Sequence, residues 1–171
     1  MASTYELIAS QTLGSDTASV TFSSLPQTFD DLVLVVSARS AASANNWYVL
    51  IPTLNGDTTP GNYSSRMLYG FSTTAASATS PVHVGYVTSD AKTANTFGDI
   101  EIYIPNYAGS ANKSMSSTSV TEGNSATLVI MGAVATLWSS ASAVTSISLA
   151  LDSSANLKSG SSFYLYGISH S

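Results

Sequence analysis

The strictest alternation in the chain runs from Phe97 to Pro105, where Ile100, Ile102 and Ile104 interleave with Asp99, Glu101 and Tyr103. Successive side chains of a strand point to opposite faces, so this stretch predicts a half-buried strand with isoleucines in a core and carboxylates in water. A second clean alternation, Val144 to Leu151, sets Ile147, Leu149 and Leu151 against Ser146, Ser148 and Ala150. Leu32 to Val36 is instead a continuous valine-rich run, the pattern of a strand covered on both faces. Tyr5 to Leu13, Ala18 to Phe22, Trp47 to Ile51, Tyr63 to Phe71, Val82 to Val87, Met115 to Val120 and Ser162 to Ile168 read as further strands. The turn at Gly14 to Asp16 makes the first two of these a hairpin. Between the others lie turn clusters such as Asn55-Gly56-Asp57, Pro60-Gly61-Asn62, Asn106 to Lys113 and Glu122-Gly123-Asn124.

Two segments are ambiguous by pattern alone. Thr127 to Trp138 holds the alanine, leucine and methionine of a helix, but β-branched Val129, Ile130, Val134 and Thr136 favour a strand in which Gly132 marks a bulge. Ser72 to Ser80 carries alanine, serine and threonine with no apolar pattern and reads as a surface loop. Roughly ten strands at spacings of about 8 to 12 residues, with no convincing helix, predict a single all-β domain spanning residues 1–171. An antiparallel β-sandwich of jelly-roll type accommodates such a chain, because its final strand can pair beside an early one. Pro52, Pro81 and Pro105 are placed to blunt sheet edges.

Composition narrows the function. The chain has no cysteine, which excludes disulfides and thiolate metal sites. Charged residues make up 9%, against about 25% in an ordinary domain, so solubility rests on hydroxyls and amides. That surface suits a protein covered by neighbours in an assembly. Net charge is -5, and Arg39, Arg66, Lys92, Lys113 and Lys158 are spread singly, without the clustered cations that nucleic acid or an anionic membrane demands. The opening MASTYELIASQTL lacks a basic and then an apolar region, so it reads as a strand and not a secretion signal, which points to synthesis in a cytoplasm.

Candidate chemistry is sparse. Asp30-Asp31 reads as a solvated turn, since one acidic pair does not supply the roughly six to eight oxygens calcium prefers. Asp57 with Asn55 and Asn62 is a richer oxygen cluster without the spacing of a calcium loop. Asp99 and Glu101 share a strand face, as a glycosidase pair does, yet such pairs are common on any polar sheet face. His83 and His170 are the two imidazoles; no GxSxG motif accompanies them, and His83 reads as a surface strand position. Trp47, Tyr48, Tyr103, Tyr107, Tyr164 and Tyr166 form either a sugar platform or core and inter-subunit packing. The expectation is a non-enzyme without cofactor, catalytic or metal residues.

The segments MASTYELIAS, SVTFSSLPQTFDDLVLVVSAR, LNGDTTPGNYSSRMLYG, TANTFGDIEIYIPNY and SGSSFYLYGISH together resemble a family of small tailed-bacteriophage virion proteins, frequent among phages of aquatic bacteria. The resemblance runs nearly end to end and implies a β-sandwich that decorates the virion. A tail fibre carries an attachment segment, often a coiled coil, before its tip, whereas this sequence opens on a strand and has no heptads. Capsid decoration is therefore the expected function: a cement protein that binds the outer capsid surface and bridges subunits of the major capsid protein, on a shell assembled in the host cytoplasm. A homotrimer is favoured, since capsid three-fold sites repeat one contact three times. The alternative is a tail-fibre, receptor-binding or carbohydrate-binding adhesion module.

Overall fold

The computed structural model describes residues 4–71, 74–80, 82–123 and 129–170. Among them the chain forms β1 (Tyr5–Thr12), β2 (Ser19–Phe22), β3 (Asp31–Ala38), β4 (Trp47–Leu54), β5 (Tyr63–Phe71), β6 (Thr74–Ser80), β7 (Gly85–Thr88), β8 (Gly98–Ile104), β9 (Lys113–Thr121), β10 (Ile130–Trp138), β11 (Ile147–Leu151) and β12 (Ser162–Ile168). All pairings between these strands are antiparallel. An eight-stranded sheet has the order β1-β12-β3-β8-β9-β10-β5-β6, and a four-stranded sheet the order β2-β11-β4-β7.

This is the expected all-β sandwich, and its wiring is that of a jelly roll with an insertion. A jelly roll is one long antiparallel hairpin rolled on itself, so its strands pair from the innermost outward. Four such nested pairs are intact: β5 with β6, β4 with β7, β3 with β8, and β2 with β11. The hairpin of β9 and β10 is the insertion: it lies between β8 and β5 in the larger sheet and pairs with both. At the far side β12 lies between β1 and β3, so the last strand sits beside early ones as the sequence suggests.

The alternating positions decide which face is buried. Ile100, Ile102 and Ile104 of β8 join Leu32, Leu34 and Val36 of β3 and Phe163 and Leu165 of β12 on the inner face of the larger sheet. Opposite them stand Leu50 and Leu54 of β4 and Ile147, Leu149 and Leu151 of β11. The valine run of β3 is covered on its outer side too: Val33 is buried between its cross-strand neighbours Tyr103 and Tyr166. Long flanking side chains, not a third layer, shield it.

Several local expectations change. β1 and β2 are not a hairpin, because each belongs to a different sheet and the turn between them is a crossover. Thr74–Ser80, read as a loop, is strand β6 at the sheet edge. The register runs unbroken through Gly132, so no bulge lies there. Pro52 lies in the interior strand β4, but beyond the point where β7 stops pairing at Leu50, so no ladder bond is lost on that side. Pro81, proposed as an edge blocker, and Asn124 of the predicted turn lie outside the described residues.

Loops are pinned by a few buried polar groups. Arg39, 2% exposed, donates from Nε to Asp90 at 3.1 Å. Its other nitrogens donate to the carbonyls of Lys92, Thr93 and Thr96 at 2.8, 2.9 and 2.7 Å. One guanidinium thus sets the segment that delivers the chain into β8. The Asp90 carboxyl is held below its ordinary range by Lys158 first and Arg39 second. Gly85 opens β7 with φ +151°, and a Cβ there would stand 2.7 Å from the Cβ of Ser119 on the facing sheet.

Replacing Arg39 by Ala strands three carbonyls and is expected to lower unfolding free energy in urea by about 3 kcal/mol. Arg39→Lys recovers less than half, because a point ammonium does not reproduce the fork; a loss below about 1 kcal/mol contradicts this account. Gly85→Ala combines a clash with a glycine-favoring backbone and is expected to cost at least about 2 kcal/mol. Adding Ser119→Gly should restore only the steric part.

Candidate functional site

Pleating sends one half of the larger sheet's side chains away from the core, and on β9 and β10 those residues are unusually short. Ser114, Ser116, Thr118, Ala133 and Ala135 are all exposed. On either side stand longer side chains: Arg66 and Leu68 from β5, Glu101 and Tyr103 from β8. Short residues between long ones make a trough of about 500 Å³. It continues into a hollow of about 280 Å³ beside Leu137 and another of about 340 Å³ beside Met131 and Val120. Leu68 is 63% and Met131 59% exposed, large values for apolar side chains on one sheet face.

The charges of this face are set apart from the rest. Arg39 and Lys158 bind Asp90, Lys92 donates to Asn46, and Lys113 donates to the carbonyls of Gly109 and Ala111. Burial also pushes the Lys113 ammonium below its ordinary pKa. Of the five cations, Arg66 makes no hydrogen bond or ion pair with the described residues, and Asp99 and Glu101 across the trough make none either. Sequence reasoning missed Arg66, since five isolated cations look alike until folding shows which are occupied.

The other end of the same face is aromatic. Tyr166 of β12 stands opposite Leu7 of β1 and Tyr164 opposite Ser10, and the Tyr5 and Tyr166 rings meet edge to face at 6.5 Å. Tyr103 and Tyr166 flank Val33. The structure thus brings Tyr103, Tyr164 and Tyr166 to one surface and removes the other aromatics from it. Tyr48 and Tyr107 are in the core, with the Tyr107 hydroxyl donating to the Pro26 carbonyl. Trp47 packs edge-on against Phe71 and Tyr86 and lines a separate hollow of about 370 Å³ with Asn45, Asn46 and Asp152.

The remaining candidates are scattered. Asp99 and Glu101 keep their shared face, but their cross-strand neighbours are Ser37 and Val120, and Val35 and Thr118, so no second strand completes a carboxylate pair. Asp57 accepts from Trp138 Nε1 at 2.8 Å, Asn62 Nδ2 at 2.7 Å and the Thr59 N–H at 2.9 Å, which hold its carboxyl far below the ordinary value. Asn55 points instead to Ala143, Thr145 and Ser146, so the oxygen cluster does not form. His83 is not a surface residue: it is fully buried, its Nε2 lies 3.3 Å from Met67 Sδ, and desolvation lowers its pKa. His170, just after β12, has its Nε2 3.0 Å from the Asp31 carboxylate.

Asp31 corrects another expectation. The Asp30-Asp31 pair is not a solvated turn; Asp31 opens β3, is 4% exposed, and accepts from Tyr103 Oη at 2.6 Å and the Asn106 N–H at 2.8 Å. Asp30 accepts the His170 N–H at 2.6 Å. The Asp31 bond pushes the Tyr103 hydroxyl up to about 12. A tyrosine whose folded pKa exceeds the ordinary value of 10.0 stabilises the fold below that value and loses the contribution as pH rises through the folded one. In a phenolate-absorbance titration Tyr103 should therefore ionise near pH 12, and Asp31→Asn should bring that midpoint down toward 10. Tyr86, raised to about 12 chiefly by burial, stays late in both proteins and serves as the internal reference. Comparison of the chain with known protein families, curated proteins and solved structures finds no match.

Proposed function

We propose that this chain is a structural protein of a tailed-bacteriophage virion, a cement protein that binds the outer surface of the assembled capsid and bridges neighbouring major-capsid subunits. The observation that carries the reading is the aromatic, weakly charged end of the larger sheet, where Leu7 and Tyr164 are exposed beside Tyr5 and Tyr166. A free sheet face ordinarily carries alternating polar and charged residues, whereas tyrosines with aliphatic neighbours are the composition of an interface core. The resemblance to virion proteins supplies the setting.

The mechanism is additive burial. Each copy seated across a junction between capsid subunits removes apolar surface from water on both, and pulling the subunits apart re-exposes it.

A second reading rests on the hollow at Trp47. An indole edge beside Asn45, Asn46 and Asp152 is the composition of a carbohydrate subsite, and it would make the chain an adhesion module.

Purified protein added to expanded capsids assembled without it should co-sediment to saturation and raise the temperature at which the shells rupture. Leu7→Asp with Tyr164→Asp, both at exposed positions, should weaken loading at least tenfold with unchanged thermal unfolding. No binding by the wild type overturns the reading; binding on a glycan array, abolished by Trp47→Ala, puts the adhesion module in its place.

A further inference from the structure

We propose that the trough over β9 and β10 is the contact face for a second copy of this chain, packed sheet to sheet about a two-fold axis. The inference is independent of the capsid reading, since it concerns a different part of the sheet and the protein alone.

Charge complementarity selects the occupant. Arg66 lies on β5 and Glu101 on β8, with β10 and β9 between them, so the two are separated by three strand spacings, about 14 Å. An axis lying in the interface and running between β9 and β10, nearly along the strands, exchanges β5 with β8 and β10 with β9. Because Arg66 shares a row with Tyr103 and Leu68 with Glu101, it places Arg66 of each copy opposite Tyr103 of the other, with Glu101 of that copy two residues along the strand, about 7 Å away and within reach of the guanidinium. The one cation of the chain without a partner among the described residues then meets a carboxylate and the face of a tyrosine, twice per dimer.

The same axis matches shape. Ala133 and Ala135 of one copy face Thr118 and Ser116 of the other, and Met131 faces Val120, because each pair shares a row of the sheet. At the roughly 10 Å spacing of ordinary sandwich packing, the longer Arg66 and Leu68 of one copy and Glu101 and Tyr103 of the other interdigitate on either side of the short central residues. The patch spanned by four strands of this length is about 600 Å² per copy, so the pair buries about 1,200 Å², at the lower bound of stable specific interfaces. A modest, reversible dimer follows.

Strand order also determines what stays free. Five strands lie on the β9 side of the axis and three on the β10 side. β1 and β12 of each copy therefore extend past β6 of the other, and their tyrosines remain uncovered. Isologous pairing satisfies Arg66 and Glu101 at once on one flat face, which favours two-fold over three-fold assembly.

Sedimentation velocity of the purified chain across about 1 to 100 µM tests this, the range in which an interface of this size dissociates. A reversible monomer–dimer equilibrium is expected, weakened at least tenfold by Arg66→Glu and by Glu101→Arg separately, and restored by the two together. Both positions are exposed, and thermal unfolding confirms that each variant folds. A monomer throughout, a trimer, or a dimer indifferent to Arg66→Glu overturns the proposal. Capsid loading in the Leu7 and Tyr164 variants is read separately, so either inference can fail without the other.

Discussion

One apolar layer, shared by two sheets, sustains everything else in this protein. The isoleucines of β8, the leucines of β3 and the aliphatic faces of β4 and β11 meet in it, and a few bonds such as Leu54 N–H to Tyr63 Oη add to that attachment of the four-stranded sheet. A fully buried leucine or isoleucine contributes about 2 kcal/mol, whereas an exposed ion pair contributes about 0 to 1. With no disulfide and few charges, the fold depends on the period-two placement of these residues. A one-residue slip of any strand would exchange its core face for its polar one.

Within that frame, seven of the fifteen charged side chains bond to the backbone. Loops leave N–H and C=O groups without ladder partners, and a buried group of this kind must find another. Arg39 and Lys113 take carbonyls; Asp16, Asp30, Asp31, Asp57 and Asp152 take N–H groups. With Lys158 bound to Asp90 and Lys92 to Asn46, ten of the fifteen are occupied inside the molecule. The trough of the larger sheet, with Arg66, Asp99 and Glu101 uncommitted among the described residues, stands out for that reason, and the tyrosine end of the same sheet is distinct from it in composition.

Legibility followed how local each cause was. β8 and β11 were readable because alternation is written in neighbouring residues. Thr74–Ser80 was not, since an edge strand packed on one neighbour needs no apolar stripe to pair its main chain. The turn between β1 and β2 has hairpin chemistry, yet β12 and β11 claim those strands from more than a hundred residues away. His83, between two valines, reads as a surface position; its burial depends on β5 and β10 crossing beneath it, with Ser65 and Thr136 bonded to its backbone. Asp31 looked like half of a solvated pair until Tyr103 and Asn106 were brought to it by the β3–β8 register.

The amino-acid order by itself determined the class of the protein: strands of period two, turns between them, no thiols, few charges, and a core supplied by alternating aliphatics. Those properties are local or compositional, and any fold of this chain must respect them. Tertiary structure alone decided the insertion of β9 and β10 into the jelly roll, the identity of the cation without a partner among the described residues, and the separation of one sheet face into a small-residue trough and a tyrosine end. Each of these depends on which distant strands become neighbours, and that choice is made by the summed burial of both sheets, which no single stretch of sequence contains.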